Sequence, residues 1–433
     1  MNTRKTLCAD ALIDGVRSVF SKVPDHRGSQ KAIALVDSLM SGFAVFSLKK
    51  SSLLEFDRDR LDPTFVKNMK SLYGVDKVPS DTAMRETLDE VDPISLKPAF
   101  KYLFRTLQRG KCLEGFRFLD DKYLVVLDGT GYFSSKKVHC ENCLTKTSRK
   151  TGETSYQHQL VGSVIIHPDE KVVIPLCPEP IIKQDGSTKN DCERNAVARW
   201  LDGFRRDHPK LKVIITEDGL ASNAPHIHDL VNFGCSFILI AKPGDHKFLF
   251  EQVHLLAGEN KELITHAEGS IHTFRYINGV PLNESNQESK VNFLEYSELD
   301  KKGKKRNFTW VTDIKLNDDN VFDIMKGGRA RWSVENETFN TLKNQGYNLG
   351  HNFGHGYKNL SVVLVLLMFL AFTVDQIQQY ACRVFQEAKS VAQTFKNLWK
   401  KIRSWFDLTE VPCWKDLFTV IASKTKMDFP DTS

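Results

Sequence analysis

Two apolar stretches of this chain end on acidic residues that are followed at once by glycine. KYLVVLDGT leads into Asp128, and KLKVIITEDG leads into Glu217 and Asp218. Short, continuous runs of aliphatic residues are typical of buried strands. If both runs are strands of one sheet, their acids can lie together at one edge of that sheet. Each acid could instead be an ordinary turn residue or a helix cap. Because side chains alternate along a strand, only one of Glu217 and Asp218 can face the side that Asp128 uses.

The neighbouring segments predict an α/β fold with a mixed sheet. HQLVGSVIIHP, KVVIPLCPEPI and CSFILIAKPG have the composition of strands, and DCERNAVARWLDGFRRDHP and SNAPHIHDLVNFG that of helices. HTFRYINGVPLN, KVNFLEYSEL and KRNFTWVTDI alternate around polar turns such as Asn278-Gly279, which predicts an antiparallel insert. Helical periodicity precedes this part of the chain and returns at NVFDIMKGGRARW.

These changes of pattern divide the chain into five segments. Its 433 residues are too many for one simple core. The predicted segments are a helical N-terminal region at 1–118, the first part of the α/β core at 119–244, a β-rich insertion at 245–322, further helices at 323–405 and a C-terminal tail at 406–433.

Composition excludes several classes of protein. The chain is 41% hydrophobic and 26% charged, as in soluble globular domains, and its nine scattered cysteines do not resemble a secreted disulfide framework. The N-terminus has no apolar signal-peptide core. LSVVLVLLMFLAFTV is shorter than the ~20 residues that cross a bilayer, which favours a buried core helix and no membrane contact. We expect a cytoplasmic protein, and the net charge of +6 is compatible with a polyanionic partner.

A third acid lies in a segment with helical periodicity. In RARWSVENETFNTLKNQ, a helix would place Arg331, Glu335, Phe339 and Leu342 along one stripe. A glutamate in an apolar stripe is costly unless it is paired or binds a metal ion. Two strand-end aspartates and a helical glutamate are a suitable ligand set for Mg²⁺. Taken singly, Asp128 is more simply a turn residue and Glu335 a partner of Arg331, but their joint placement favours a metal site.

The motifs VVLDGTG, VIITEDGL and RWSVENETFNTLKNQGYN together resemble the catalytic core of the DDE transposases of bacterial insertion sequences. The resemblance covers residues 79–379, and PSDTAMRETL is similar to that family's N-terminal region. Asp218 and Glu335 are 335 − 218 = 117 residues apart, which leaves room for a strand-rich insert. The implied fold is α/β: a ribonuclease H-like mixed-sheet core with an antiparallel β insert, preceded by a helical N-terminal DNA-binding domain and followed by C-terminal helices.

The resemblance also implies a chemistry. Asp128, Asp218 and Glu335 match the acidic triad that holds two Mg²⁺ (or Mn²⁺) ions, and such paired ions catalyse phosphoryl transfer. The implied enzyme cuts transposon ends and joins the released 3′-hydroxyl to target DNA. Its implied partners are double-stranded DNA, both terminal inverted repeats and target, and a second copy of the chain in a homodimer on DNA. The alternatives are a catalytically retired or domesticated DNA-binding protein of the same fold, and a metal-dependent nuclease without strand transfer.

This branch of the family carries a Tyr-x2-Arg-x3-Glu-x6-Lys signature, which the chain follows in part. Arg331 matches the arginine four residues before Glu335. Gly328 stands at the tyrosine position and Leu342 at the lysine position, with Lys343 one residue later. One residue turns a helical side chain by ~100°, so Lys343 departs from the pattern. We expect Arg331 and Lys343 to position DNA phosphates.

A second set of residues predicts a zinc site. Cys140 and Cys143 form a C-x2-C pair with His139 beside it, and His158 follows fifteen residues after Cys143. Sulfur and imidazole nitrogen are the ligands of tetrahedral zinc. Since a single C-x2-C pair is only half of a zinc ribbon, a reduced cysteine pair in a loop is the alternative.

Two further features have open alternatives. Trp310 lies in the predicted insert and, by the family resemblance, would stack on a flipped DNA base for ~1–3 kcal/mol, or it is a core residue of the insert. HNFGHGYKN at 351–359 has two histidines among glycines. A loop that contacts DNA or packs on the fold is favoured there over a metal site.

Overall fold

The structure, a computed structural model, describes residues 5–28, 31–183, 192–267 and 269–423. Within these residues the chain forms fifteen α-helices and one large mixed sheet. The prediction of an α/β fold with a mixed sheet is confirmed. Residues 424–433 of the predicted C-terminal tail lie outside the described residues.

The strands are β1 Tyr123–Ser135, β2 Leu144–Thr147, β3 Thr154–Ile166, β4 Ile174–Pro175, β5 Glu179–Ile181, β6 Val213–Glu217, β7 Ser236–Ile240, β8 Lys261–Ala267, β9 Ser270–Pro281, β10 Lys290–Leu299 and β11 Lys305–Thr312. The helices are α1 Ala9–Phe20, α2 Leu35–Ser47, α3 Leu53–Asp59, α4 Pro63–Tyr73, α5 Asp81–Asp89, α6 Lys97–Arg109, α7 Glu193–Asp207, α8 Ala224–Asn232, α9 Lys247–Leu255, α10 Val321–Ala330, α11 Asn340–Asn344, α12 Leu360–Ala381, α13 Arg383–Ala392, α14 Phe395–Leu408 and α15 Trp414–Ala422. A π-helical turn, Val334–Phe339, lies between α10 and α11.

The strands follow the order β2-β3-β1-β6-β7-β11-β10-β9-β8, and β4 and β5 also pair with β3. β1 is antiparallel to β3 and parallel to β6, which in turn is parallel to β7. The centre of the sheet is therefore parallel, and its apolar strands are covered on both faces. This burial explains why β6 is almost continuously hydrophobic instead of alternating.

The predicted β insertion is antiparallel, but it is not a separate sheet. β11 pairs with β7, with Trp310 opposite Ile240, so β8 to β11 continue the core sheet. An edge strand exposes unpaired backbone N–H and C=O groups. Pairing with β11 satisfies these groups on β7, and the sequence pattern of either strand alone does not reveal the pairing.

The N-terminal and C-terminal helices pack together. The side chain of Asn68 on α4 donates to the carbonyl of Phe406 at 2.7 Å and accepts from the amide of Val411 at 2.7 Å. Tyr73 packs edge-to-face on Trp414 of α15, with ring centroids 5.6 Å apart. The described part of the predicted tail is therefore a packed helix.

Helix α12 is the most apolar element of the fold. Its 22 residues are long and hydrophobic enough to cross a bilayer by composition, but its most apolar window is wholly buried inside the fold. The prediction of a core helix at this segment is confirmed. Near its C-terminal end, Asp375 forms a buried ion pair with Lys49, with 2.7 Å between Oδ2 and Nζ.

Candidate active site and candidate metal centre

Asp128 and Asp218 are placed side by side by the register of two parallel strands. The last pairs of that register are Val125 with Ile215 and Val126 with Thr216. Two residues further along each chain, the same register brings Asp128 beside Asp218. Side chains two apart share a face, and neighbouring strands lie ~4.8 Å apart. Asp218 lies just past the end of β6, lines the same cleft as Asp128 and adds its charge to the surroundings of Asp128, so the two predicted acids are neighbours.

A cleft of about 400 Å³ opens beside these two acids, between the N-terminal ends of α7 and α8. Ligand sites of α/β sheets occur at the carboxyl ends of parallel strands. The titratable side chains on its wall are Asp128, Cys192, Glu193, Arg194, Glu217, Asp218 and His226.

Glu217 has a different role from Asp218. Its carboxylate lies 2.8 Å from Nε2 of His226 on α8, and both side chains are largely buried. That pair raises the pKa of His226 against the opposing effect of burial. Glu217 is therefore already paired, whereas one oxygen of Asp218 caps the turn that follows β6 by accepting from the amide of Leu220 at 2.9 Å.

Glu335 reaches the same area from the π-helical turn, which packs on β1 and β3. Arg331 connects the π-helical turn to β1, since its guanidinium lies 2.9 Å from Glu335 and 3.8 Å from Asp128. The ion pair of Arg331 and Glu335 that the sequence left as an alternative is therefore present. A π turn has i→i+5 hydrogen bonds and is frequent at functional sites. It changes which side chains share a face of the helix. Glu335 is therefore 46% exposed, whereas Phe339 is buried.

The surroundings of Asp128 change its protonation. Burial raises the pKa of Asp128 from 3.8 to about 7, and the charges of Glu193, Glu335 and Asp218 add to this rise. Arg331 opposes it. Asp128, Glu193, Asp218 and Glu335 outnumber the guanidinium groups of Arg331 and Arg194 beside them, and carboxylate oxygens are ligands that suit a hard divalent cation.

Glu193 was not predicted as a site residue. It stands in the first turn of α7, where an acid is commonly explained by the helix dipole, so its position in the sequence does not indicate a site. In the fold its carboxyl accepts a hydrogen bond from the backbone of Gly129. Its pKa is raised by desolvation in the cleft and by the charges of Asp218 and Glu217.

Gly162 on β3 lets the π-helical turn approach the sheet. It pairs with Asp128, and a Cβ atom at this position would lie 2.7 Å from the ring of Phe339. Real Cβ atoms do not approach other atoms so closely. The absence of a side chain at Gly162 therefore positions the turn that carries Glu335.

We expect Gly162→Ala to lower the free energy of unfolding by about 1–3 kcal/mol, because Phe339 must move out of a filled space. Urea unfolding measures this change. Gly131→Ala is the matched control in β1, since a Cβ there has its nearest neighbour at 3.9 Å. The combination of Gly162→Ala with Phe339→Leu should recover part of the loss, and equal losses in both glycine variants would contradict the packing argument.

Trp310 lies in the core. It is 1% exposed and stacks on Phe308 at 5.7 Å between ring centroids. A Cβ atom at Gly328 would lie 2.4 Å from its indole Nε1, which explains why a tyrosine cannot occupy position 328 here. The core alternative for Trp310 agrees with this burial, and the described conformation does not offer its indole to a DNA base.

Leu342, at the lysine position of the signature, and Lys343, one residue later, differ in their surroundings. Leu342 is fully buried, whereas Lys343 is exposed on α11. The side chain of Lys343 is therefore accessible from solvent, and contact with a DNA phosphate stays a prediction.

A second cluster of ligand atoms lies beyond the acids, where β1 ends and β3 begins. The sulfur and nitrogen ligand atoms of Cys140, Cys143, His158 and His355 all lie within 4.8 Å of one another, and all four residues are buried. This cluster could hold a metal ion. His355 was not predicted as a ligand, because it is 212 residues from Cys143 in sequence.

The prediction of His139 as a ligand is wrong. His139 is exposed and stacks on Tyr156, with ring centroids 4.4 Å apart. Proximity to Cys140 in sequence suggested it, but the chain turns at the C-x2-C pair and directs His139 outward. The sequence signal for His355, the fourth residue of the cluster, was the HNFGHGYKN segment.

The described residues therefore contain carboxylates beside a cleft and, separately, a buried Cys/His cluster that could hold a metal ion. The function is therefore inferred from these side chains. Comparisons with models of known protein families and with curated proteins find no match for this chain.

Proposed function

We propose that this protein is a DNA transposase that cuts transposon ends and joins them to target DNA by phosphoryl transfer assisted by two metal ions. The observation that carries the proposal is the placement of Asp128 beside Asp218, with Arg331 connecting Asp128 to Glu335. Three acids from distant parts of the chain converge on one end of the sheet. The motifs that contain them resemble those of the DDE transposases, in the same order along the chain.

The sheet supports a ribonuclease H-like core. β1 is flanked by an antiparallel and a parallel neighbour, and the acids stand on β1 and directly after β6. The helix that carries Glu335 comes after the antiparallel strands β8 to β11. This order agrees with the family's arrangement of a β-rich insert before the glutamate helix.

The residues present fit Mg²⁺ or Mn²⁺. Asp128, Asp218 and Glu335 offer carboxylate oxygens. Burial, with a further contribution from the neighbouring carboxylates, raises the pKa of Asp128, and a divalent cation would offset the repulsion between these carboxylates. When bound, two such ions supply Lewis-acid stabilisation of the attacking and leaving oxygens. Arg331 keeps Asp128 and Glu335 close through its two contacts, and its planar guanidinium also suits a DNA phosphate.

The partners in this proposal are double-stranded DNA and a second copy of the chain. Terminal repeats and target DNA would approach the cleft side of the sheet. Lys343 is exposed two turns after Glu335 and is a candidate phosphate contact. Helices α1 to α6 are the proposed DNA-binding region.

A cleavage and joining assay tests the proposal. The full chain is incubated with a labelled duplex that carries the transposon end from its own genomic flanks, with a target plasmid, and with or without Mg²⁺. We expect end cleavage and joined products only with Mg²⁺. Glu335→Gln keeps the side-chain size but removes the charge, so it should lose both activities.

The same assay separates the alternatives. Specific end binding without cleavage would support a retired DNA-binding protein of this fold. Cleavage without joined products would support a nuclease. Full activity of Glu335→Gln would refute the assignment of Glu335 as the third acid.

A further inference from the structure

We propose that Cys140, Cys143, His158 and His355 form a structural zinc site that fastens the loop before α12 to strands β1 and β3. No part of this proposal depends on transposase activity. It concerns a different set of residues from the acids of the cleft, and it differs from the sequence-based prediction in its fourth ligand.

The distances between the ligand atoms match a tetrahedral zinc centre. Zn–S bonds of ~2.3 Å and Zn–N bonds of ~2.0–2.1 Å give tetrahedral edges of about 3.8 Å between sulfurs and about 3.6 Å between sulfur and nitrogen. The two Sγ atoms are 3.9 Å apart. His158 Nε2 lies 3.3 Å from Cys140 and 3.5 Å from Cys143, and His355 Nε2 lies 3.3 Å from Cys143.

The four ligand atoms face one another. The sulfur of Cys143 lies 3.9 Å from the sulfur of Cys140, 3.5 Å from Nε2 of His158 and 3.3 Å from Nε2 of His355. The two cysteines are free, and their sulfurs are too far apart for a disulfide. One cation at the centre would satisfy all four ligand atoms together.

The site is closed, which indicates a structural role. All four residues are buried, and rings of Tyr132 and Phe133 cover the two histidines, with 4.2 Å between the centroids of Phe133 and His355. Structural zinc has four protein ligands, whereas catalytic zinc keeps a position for water or substrate. We therefore assign no reaction to this cluster.

The backbone around the ligands is already in place. The amide of Glu141, between the two cysteines, donates to the carbonyl of Tyr357 at 3.1 Å. Asn142 donates to the carbonyl of Lys358 at 2.9 Å. On the other side, Asp89 accepts from the amides of residues 357–360. The loop that carries His355 is therefore held against the C-x2-C turn, and a zinc ion would complete this connection.

Metal analysis of the purified full chain tests the proposal. We expect about one zinc per chain by mass spectrometry of the metal, and a Co²⁺-substituted protein with the strong d–d absorption of a tetrahedral thiolate site. Cys143→Ser and His355→Ala should lose most of the zinc. His355→Cys, which restores a fourth ligand, should retain it.

Two control variants test whether residues outside the cluster, including the predicted ligand His139, hold the zinc ion. His139→Ala and Cys192→Ser alter exposed residues and should keep the zinc of the wild type. Chelation of the wild-type protein should lower its thermal midpoint and expose the loop to trypsin near Lys358, because the metal ties distant parts of the chain together.

Several results would overturn the proposal. One is a folded wild-type chain, by circular dichroism, that neither contains zinc nor takes it up. Another is equal zinc content in His355→Ala and the wild type. If Cys143→Ser does not fold, the metal content and Co²⁺ spectrum of the wild type and of His355→Cys still decide the question.

Discussion

Asp128→Asn is expected to reduce Mg²⁺-dependent strand cleavage by at least ~10³-fold. Asparagine has the shape of aspartate but lacks the charge that holds a divalent cation, and metal-ion stabilisation of a transition state supplies several kcal/mol. The measurement is the single-turnover rate on the transposon-end duplex, at saturating Mg²⁺. Asp229→Asn, on the far part of α8, is the matched control, since that side chain does not line the cleft.

The same substitution should make the protein more stable above neutral pH. Burial and neighbouring carboxylates raise the pKa of Asp128 from 3.8 to about 7. The unfolded chain therefore releases this proton more readily, and stability falls as pH rises from about 4 to about 7. Asp128→Asn removes that loss, which corresponds to at most ~4 kcal/mol, a figure that already includes the opposing charge of Arg331.

Thermal unfolding at several pH values measures this effect. We expect the midpoint of Asp128→Asn to exceed that of the wild type at pH 8 and the difference to shrink towards pH 4. Mg²⁺ should raise the midpoint of the wild type and not that of the variant, because a ligand of the folded state stabilises it. A variant less stable than the wild type at pH 8 would show that Asp128 is stabilised, not strained, in its charged form.

Asp375→Ala is expected to lower the free energy of unfolding by about 3–5 kcal/mol, because it leaves a buried charge without its partner. Lys49 is fully buried and lies 2.7 Å from Asp375. The hydroxyl of Tyr347 donates to the same carboxylate. The ring centroids of Tyr347 and Trp399 lie 4.1 Å from the ammonium group, but they do not replace the lost anion.

Chemical denaturation with two further variants identifies the cause of this loss. Glu410→Ala removes the partner of Lys67 in a pair that is more than half exposed, so it should cost less than ~1 kcal/mol. Lys49→Met combined with Asp375→Leu removes both charges and should recover most of the stability that Asp375→Ala loses. A double variant as unstable as Asp375→Ala would indicate that packing, not the unpaired charge, dominates.

The strands that carry Asp128 and lead to Asp218 were predictable because their signal is local. The apolar run in KYLVVLDGT predicts β1, but the strand continues past Asp128 to Ser135 instead of ending there. Likewise, the length and composition of α12 predicted a core helix. In each case the physical cause, burial of a continuous apolar run, acts within one segment.

Contacts between distant segments were not predictable in the same way. His355 reaches Cys143 across 212 residues, and no spacing rule connects HNFGHGYKN to a C-x2-C pair. Glu193 has an ordinary place in the first turn of a helix, and only the approach of α7 to β1 makes it a neighbour of Asp128. The pairing of β11 with β7, which buries Trp310, is equally invisible in either strand.

Local sequence patterns predicted many of the strands and helices, although β1 extends past Asp128 to Ser135 and Glu335 lies in a π-helical turn. Apolar periodicity and backbone preferences act over a few residues, so they can be recognised without a fold. The tertiary structure alone decided the partners. It placed Arg331 between Asp128 and Glu335, and it exchanged His139 for His355 in the Cys/His cluster. These choices depend on how whole elements pack, because a side chain can bind only what the fold brings within a few ångströms of it.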